Sequence, residues 1–155
     1  MTHFQPTELH AFVVSAKQAT YVGNGQKLLA YRLGSHDLQY FEGDWAYHDS
    51  YLGENDFIGE EAVYFRGQIV WAMNYFGRIL KPERITSAEA GQMIKVSLTR
   101  MYAEGRFLGG FGHVEGDLTY VDTSDGDPTF FTGREWISRN GEKVYELVYH
   151  GGLVS

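Results

Sequence analysis

The stretch LQYFEGDWAYHDSY, residues 38–51, decides how the first half of the chain folds. Gly43-Asp44 lies at its centre and suits a two-residue type II′ turn, and β-prone residues flank it on both sides. The sequence therefore predicts a hairpin in which residues 38–42 pair with residues 45–51. In that register one sheet face carries six side chains, namely Tyr40, Glu42, Trp45, Tyr47, Asp49 and Tyr51.

Two helices are predicted on either side of the early hairpins. Residues 7–17 have apolar side chains at helical spacing, and residues 86–104 show the same periodicity. Thr86 and Glu89 are spaced as a capping box, which predicts where the second helix begins. Gly91 lies inside that helix, where glycine lowers helix stability, so we interpret it as a point of close packing against the sheet.

Further β-prone runs end at turn signals and predict six more strands. These runs are residues 28–33, 60–65, 69–76, 117–122, 129–138 and 143–150. Turns are predicted at Arg66-Gly67-Gln68, at 124–127 and at Asn140-Gly141, and loops at Gly23-Asn24-Gly25 and across the glycine-rich residues 105–112. No internal repeat is evident along the chain.

The order helix, hairpins, helix, hairpins predicts an α+β fold. We expect a strongly curved antiparallel sheet, or half-barrel, with two helices packed on it, and one domain spanning residues 1–155. If the helices cover one face, the other face is either solvated or a cavity. Its aromatic content favours the cavity.

Composition and charge narrow the classes of function. The chain has 13 Lys+Arg against 20 Asp+Glu, a net charge of −7, and no basic cluster, which disfavours direct nucleic-acid binding. The absence of cysteine removes disulfides and thiolate chemistry. No signal peptide or membrane-spanning run is recognisable, so we expect a cytoplasmic protein with no membrane partner.

Short motifs spread over most of the chain carry a family resemblance. They are GSHDL (34–38), Tyr40, Gly43-Asp44, DSYLG (49–53), Phe57, GEEAV (59–63), WAMNY (71–75), Gly116-Asp117, Phe131, Gly133, Tyr145 and HGG (150–152). This set resembles an uncharacterised bacterial domain that occurs alone or behind an XRE-type helix-turn-helix in transcriptional regulators. The resemblance implies a link to transcriptional regulation but carries over no activity. Only one helix and a strand precede Gly34, so we expect any DNA-reading module to belong to a separate partner.

The densest polar cluster lies among aromatic residues of the two early hairpins. Its members are His36, Asp37, Asp44, His48, Asp49, Asp56, Glu60 and Glu61. Carboxylates among rings accept hydrogen bonds from a ligand, bind a cation, or act as acid and base when burial separates their pKa values. No metal-binding spacing is present, and His48 and Asp49 should point to opposite faces, so we predict no metal and no cofactor.

Candidate site residues follow from this cluster and from the return strand of the second hairpin. For acid–base chemistry the leading pair is Asp49 with Glu60 or Glu61, assisted by His36. The predicted ligand-binding residues are Tyr40, Trp45, Tyr47, Tyr51, Trp71, Asn74, Tyr75 and His150, with Phe107, Leu108 and Phe111 as a lid. Structural roles for most of these residues are the competing interpretation, since rings at period two ordinarily fill a core.

Three functions are therefore considered. The first is a binding module for a small polar or aromatic molecule, acting as a ligand sensor associated with transcriptional regulation. The second is a small metal-independent hydrolase or lyase that uses the Asp/Glu pair with His36 or His150. The third is an acidic protein-interaction or accessory subunit, and a homodimer is left open.

Overall fold

The computed structural model describes residues 3–20 and 26–155. Within these residues the elements are α1 (Pro6–Thr20), β1 (Gln26–Lys27), β2 (His36–Glu42), β3 (Trp45–Gly53), β4 (Phe57–Phe65), β5 (Gln68–Ile79), α2 (Ser87–Ala103), β6 (Phe111–Glu115), β7 (Leu118–Asp127), β8 (Phe130–Arg139) and β9 (Glu142–Leu153). The strands form one antiparallel sheet in the order β1-β2-β3-β4-β5-β9-β8-β7-β6. The sheet is open and curled, which confirms the predicted α+β class.

The hairpin formed by β2 and β3 has the predicted register. Leu38 pairs with Asp49, and Glu42 pairs with Trp45. Gly43 has φ 57°, a positive value that the first position of a type II′ turn requires and that glycine adopts without steric cost. The alternation of side chains along β3 therefore follows directly from the turn residues.

Helix α2 begins where the capping box predicted it. The hydroxyl of Thr86 accepts a hydrogen bond from the backbone N–H of Glu89, and the Glu89 carboxylate accepts one from the backbone N–H of Thr86. Gly91 is exposed, and a Cβ atom added there would meet nothing within 4 Å. The interpretation of Gly91 as a close-packing position is therefore wrong.

The prediction of a strand at 28–33 is wrong, because backbone N–H groups of this segment donate to buried side chains and not to a neighbouring strand. The backbone N–H of Tyr31 donates to Oδ2 of Asp37, and that of Arg32 donates to the Ser35 hydroxyl. Of the residues that the structure describes in this region, Gln26–Lys27 form strand β1. The predicted loop Gly23-Asn24-Gly25 lies outside the described residues.

Two other differences arise in the second half of the chain. Strand β6 forms within and beyond the segment taken as a glycine-rich connection, since Phe111–Glu115 pairs with β7. The turn predicted at 124–127 is misplaced, because β7 and β8 pair as far as Asp127 and Phe130. The two-residue turn between Arg139 and Glu142 is confirmed, with positive φ at both Asn140 and Gly141.

Both helices pack on the same sheet face that carries the rings. We call this the inner face and define it by Tyr47, Asp49, Trp71 and Tyr75, all of which are buried. The core lies between this face and the helices, and includes Phe12 of α1. The expectation that the aromatic face lies opposite the helices is therefore wrong, because the large rings are buried beneath the helices. The opposite face does have a recess of about 490 Å³, lined by residues of β4, β5, β8 and β9.

The sheet contains an internal repeat that the sequence analysis missed. Strands β3-β4-β5 and β7-β8-β9 have the same pairing pattern, and identical residues recur at matching positions. The matching pairs are Tyr47 and Tyr120, Asp49 and Asp122, Gly53 and Gly126, Gly59 and Gly133, Glu61 and Glu135, Gly67 and Gly141, Val70 and Val144, Tyr75 and Tyr149, and Gly77 and Gly151.

Irregular features recur with the repeat as well. The register shifts after Val63 in the first unit and after Ile137 in the second, so each unit has a bulge at the matching position. Gly53 and Gly126 both have φ 93°. The two three-stranded units therefore curl alike and place the same kinds of side chain on the inner face.

Candidate functional site

Four carboxyl groups are buried on the inner face. Asp49, Glu61, Asp122 and Glu135 are each no more than 5% exposed. Asp49 lies directly opposite Glu61 on neighbouring strands, and Asp122 lies opposite Glu135 in the same way. Cross-strand neighbours have Cβ atoms about 5 Å apart, so each repeat unit brings two acids together away from water.

Tyrosine hydroxyl groups donate hydrogen bonds to three of these four acids. Tyr75 donates to Oδ1 of Asp49 at 2.7 Å. In the second unit Tyr149 donates to Oδ2 of Asp122 at 3.0 Å. Glu135 accepts from two tyrosines, Tyr120 at 2.5 Å and Tyr145 at 3.0 Å.

Two glycines let the tyrosines reach across the sheet. The ring of Tyr75 lies over Gly59 and the ring of Tyr149 lies over Gly133, so close that a Cβ atom on either glycine would overlap the ring. Each glycine pairs with its tyrosine on the neighbouring strand. In each unit a glutamate follows this glycine by two residues, so its carboxyl lies beside the site that the tyrosine ring occupies.

Lys17 of α1 supplies positive charge to the acids. Its Nζ atom lies 2.6 Å from Oε2 of Glu61 and 3.4 Å from Sδ of Met73. It is also 5.5 Å from the ring centroid of Phe107. Lys17 is 4% exposed and is the only buried Lys or Arg in the described part of the chain.

The two buried aspartates of the inner face have unusually high pKa values. Burial, and next the charge of Glu61, raise the pKa of Asp49 to about 7, against the Tyr75 hydrogen bond and the charge of Lys17. Burial raises the pKa of Asp122 to about 7 as well, aided by the charge of Glu135. These two acids therefore exchange protons near neutral pH, which an exposed aspartate does not do.

Tyr47 adds an unsatisfied polar group to the first unit. It is 1% exposed, and its hydroxyl finds no hydrogen-bond partner within residues 3–20 and 26–155. Burial raises its pKa well above 10, and the charges of Glu61 and Asp49 add to the rise. An unpaired buried hydroxyl is costly, so Tyr47 has unused capacity to bind a polar group.

A small cavity separates the two units. Its volume is about 60 Å³, which is room for a few water molecules. Matching residues of the repeat line it from both sides, including Glu61 with Glu135 and Tyr75 with Tyr149. Lys17 lines the same cavity. Water or protons can therefore lie between the two acidic pairs.

A larger cleft opens on the Asp49 side of the molecule. Its volume is about 400 Å³, which falls within the roughly 300–1,000 Å³ of small-molecule sites. Rings of Tyr51, Phe57, Tyr75 and Tyr145 line it, and Asp49 contributes its carboxyl. The opposite wall comes from α2, through Ala90, Gly91, Ile94 and Lys95.

Four of the sequence-predicted site residues meet in this cleft. They are Asp49, His36, Tyr51 and Tyr75. The rings of His36 and Tyr51 stack with centroids 4.8 Å apart at the cleft wall. Glu61 is next to Asp49 but lines the small cavity instead.

Other predicted site residues lie elsewhere. Tyr40 and Trp45 contact Phe12 of α1, and Trp71 is fully buried in the core. Three predicted residues, Glu60, Asn74 and His150, lie side by side on the outer face of the sheet. Glu60 and Asp49 therefore point to opposite faces, so Glu60 does not complete a pair with Asp49.

The proposed lid is part of the core. Phe107 and Leu108 are 6% and 9% exposed, and the Phe107 ring packs edge-on against Trp71 and Phe131. Leucine and phenylalanine buried in this way hold the connection after α2 against the sheet. Phe111 begins β6.

Sequence reasoning missed the second acidic pair and its lysine. Asp122 and Glu135 were not predicted as site residues, although their counterparts Asp49 and Glu61 were, and Lys17 of α1 was not predicted either. The signal was present as the spacing Tyr-x-Asp, then Gly-x-Glu, then Tyr, which occurs once in each unit. An alignment of the chain against itself would have found it.

No group of three or more His, Asp or Glu side chains in the described ranges is arranged to hold a metal ion. Neither α1 nor α2 is long and apolar enough to cross a bilayer, and the described residues contain no other helix.

A family model described as "Domain of unknown function (DUF5680)" matches residues 49–154, more than half of the chain. No match is found among curated proteins or among solved structures.

Proposed function

Since the chain belongs to the DUF5680 family, whose description assigns no activity, we propose from the site itself that it is a small-molecule-binding domain. The ligand is a small polar or aromatic molecule held in the cleft beside Asp49. One observation carries the proposal: a cleft of about 400 Å³ has aromatic walls and a buried carboxyl whose pKa is raised to about 7. Ligand sites combine mostly apolar walls with a few polar groups in this way.

The cleft is suited to orient its ligand. The Tyr75 hydrogen bond holds the Asp49 carboxyl in one position, so its acceptor atoms are preorganised. Phe57 and Tyr145 stack with ring centroids 6.5 Å apart and offer an apolar surface nearby. A planar ligand therefore finds a surface to stack on and a carboxyl to bind within one recess.

The proposal extends to a sensor role in the bacterial cytoplasm. The resemblance to domains that occur with XRE-type helix-turn-helix modules supports a link to transcriptional regulation. The net charge of −7 supports a separate DNA-binding partner rather than direct contact with nucleic acid. In this proposal, that partner responds to whether the cleft holds its ligand.

A thermal-shift screen of nucleosides, sugars and amine or aromatic metabolites tests the proposal. A ligand that binds only the folded chain raises the melting temperature by mass action. Asp49→Asn should remove most of the shift, whereas Glu60→Gln on the outer face should leave it unchanged. Silence across the panel at millimolar concentrations, or equal shifts in Asp49→Asn, would contradict the proposal.

A hydrolase or lyase is the second candidate, and the surroundings of Asp49 and Glu61 favour it. Lys17 pairs with Glu61, while Asp49 has a pKa of about 7, raised by burial and by the charge of Glu61. Two carboxyls in different environments are the arrangement that acid–base catalysis uses. Turnover of a ligand found in the screen, lost in Asp49→Asn with the melting temperature kept, would establish it. The accessory-subunit hypothesis and the homodimer stay predictions.

A further inference from the structure

The inner face contains more acidic than basic groups. Four buried carboxyls share one buried lysine, Lys17, which contacts Glu61 directly. Buried charges are stabilised by partners of opposite charge, and an acid without one is held in its protonated form. Burial, and next the charge of Glu61, raise the pKa of Asp49 in this setting.

Neither aspartate of the repeat forms an ion pair with a described residue. The charge of Arg106 opposes the rise that burial causes in the pKa of Asp122, but the Arg106 guanidinium itself pairs with Glu104 at 2.9 Å. Of the two aspartates, Asp49 borders the open cleft, where a ligand can supply positive charge, whereas Asp122 lines the small cavity.

The groups around that position suit a cation. The cleft walls include the rings of Tyr51, Phe57 and Tyr145, whose faces attract positive charge. The Tyr75 hydroxyl donates to Oδ1 of Asp49 at 2.7 Å, so the carboxylate can accept further bonds through Oδ2. An ammonium group provides both the positive charge and the donors.

We propose that the ligand of this cleft is an organic monocation, an amine with an aromatic or apolar body, whose ammonium group pairs with Asp49. This inference rests on the proposed binding function and names the class of ligand. The rings of the cleft cover the body of the amine, and the buried carboxyl binds its charge.

Other charged groups face Asp49 from every neighbouring element. Glu61 on β4 and Asp37 on β2 add negative charge, and Lys17 on α1 adds positive charge already paired with Glu61. His36, Glu54 and Lys95 line the cleft itself. Lys95 is exposed to water, which screens its charge, so it does not substitute for a cation at the buried carboxyl.

A matched pair of probes tests the inference on the full chain. Benzylamine and benzyl alcohol have the same ring and nearly the same size, but only benzylamine is charged at neutral pH. Titration calorimetry should show benzylamine binding at least about tenfold more tightly, since a hydrogen bond between charged groups is stronger than a neutral one. Asp49→Asn should remove that preference, and Glu60→Gln should retain it.

The dependence on pH gives a second readout. Benzylamine binding should tighten about tenfold from about pH 6 to about pH 8, because Asp49 loses its proton over that range and alkyl amines keep theirs. His36 also faces the cleft, so the pH dependence must persist in His36→Asn and vanish in Asp49→Asn. The reverse pattern would overturn the inference.

The outcomes separate this inference from the proposed function. If both probes bind equally, the ligand class is wrong and the binding function stands. If neither probe binds but neutral members of the broad panel do, the ligand class is again wrong. If no compound of the panel binds either, both the ligand class and the proposed binding function are wrong.

Discussion

Replacing Lys17 with methionine should cost much of the stability of the fold. The Nζ atom of Lys17 lies 2.6 Å from the Glu61 carboxylate, and their side chains are 6% and 4% exposed. Removing one partner of a buried ion pair leaves an unpaired buried charge, at a cost of about 3–5 kcal/mol. Lys17 also opposes the raised pKa values that burial imposes on Asp49, Asp122 and Glu135, so its loss affects all four acids.

The free energy of unfolding in urea at neutral pH measures this effect. Lys17→Met keeps the length and apolar stem of the side chain, so packing against Met73 and Phe107 changes little. Lys81→Met is the matched control, because Lys81 lies 3.0 Å from Glu142 with both side chains about 40% exposed. Such a surface pair contributes under about 1 kcal/mol, so the control should unfold nearly as the wild type does.

A double-mutant cycle separates the ion pair from other effects of the substitution. Glu61→Gln should be destabilising alone, and in the Lys17→Met background it should recover at least about 1 kcal/mol, because the unpaired carboxylate is then removed. A loss below about 1 kcal/mol in Lys17→Met, or no recovery in the double variant, would refute the interpretation of a charged, buried pair.

Two further predictions concern the second repeat unit and a pair of glycines. The pKa of Asp122 rises from 3.8 to about 7 on folding, so the folded chain holds this proton more tightly and stability should fall by about 3 kcal/mol between about pH 4 and pH 7. Asp122→Asn, which can still accept the Tyr149 hydrogen bond, should flatten that decline in urea melts; an unchanged slope contradicts the assignment. Gly133→Ala should destabilise by more than about 2 kcal/mol, because its Cβ would overlap the Tyr149 ring, whereas Gly91→Ala in α2 should stabilise by up to about 1 kcal/mol. Similar melting temperatures for the two alanine variants would count against the packing described for Gly133.

The elements that sequence predicted correctly are those governed by neighbouring residues. The β2–β3 register depends on the Gly43-Asp44 turn, and the start of α2 depends on the Thr86 and Glu89 capping box. Both involve groups a few residues apart, so the physical cause is contained in the local sequence. The prediction of a strand at 28–33 was wrong because the backbone of this segment donates a hydrogen bond to the Asp37 side chain. β-propensity describes single residues and does not include such a contact.

The candidate site was predictable only in part, for the same reason. Asp49, His36, Tyr51 and Tyr75 belong to the hairpins whose alternation the sequence reveals, and they do meet in one cleft. Period-two alternation assigns Glu60 and Glu61 to opposite faces but cannot say which face the helices cover. Because the helices cover the face that carries the rings, Glu61 is buried and Glu60 is exposed to water.

The sequence by itself determined the composition of each element, the hairpin turns, the helix cap and the acidic excess. Only the tertiary structure decided that Lys17, Asp49 and Asp122, far apart along the chain, share one interior. The curl of the sheet brings the two repeat units face to face, and burial then raises the pKa values of Asp49 and Asp122. Proximity and desolvation are properties of the packed chain, so no local pattern encodes them.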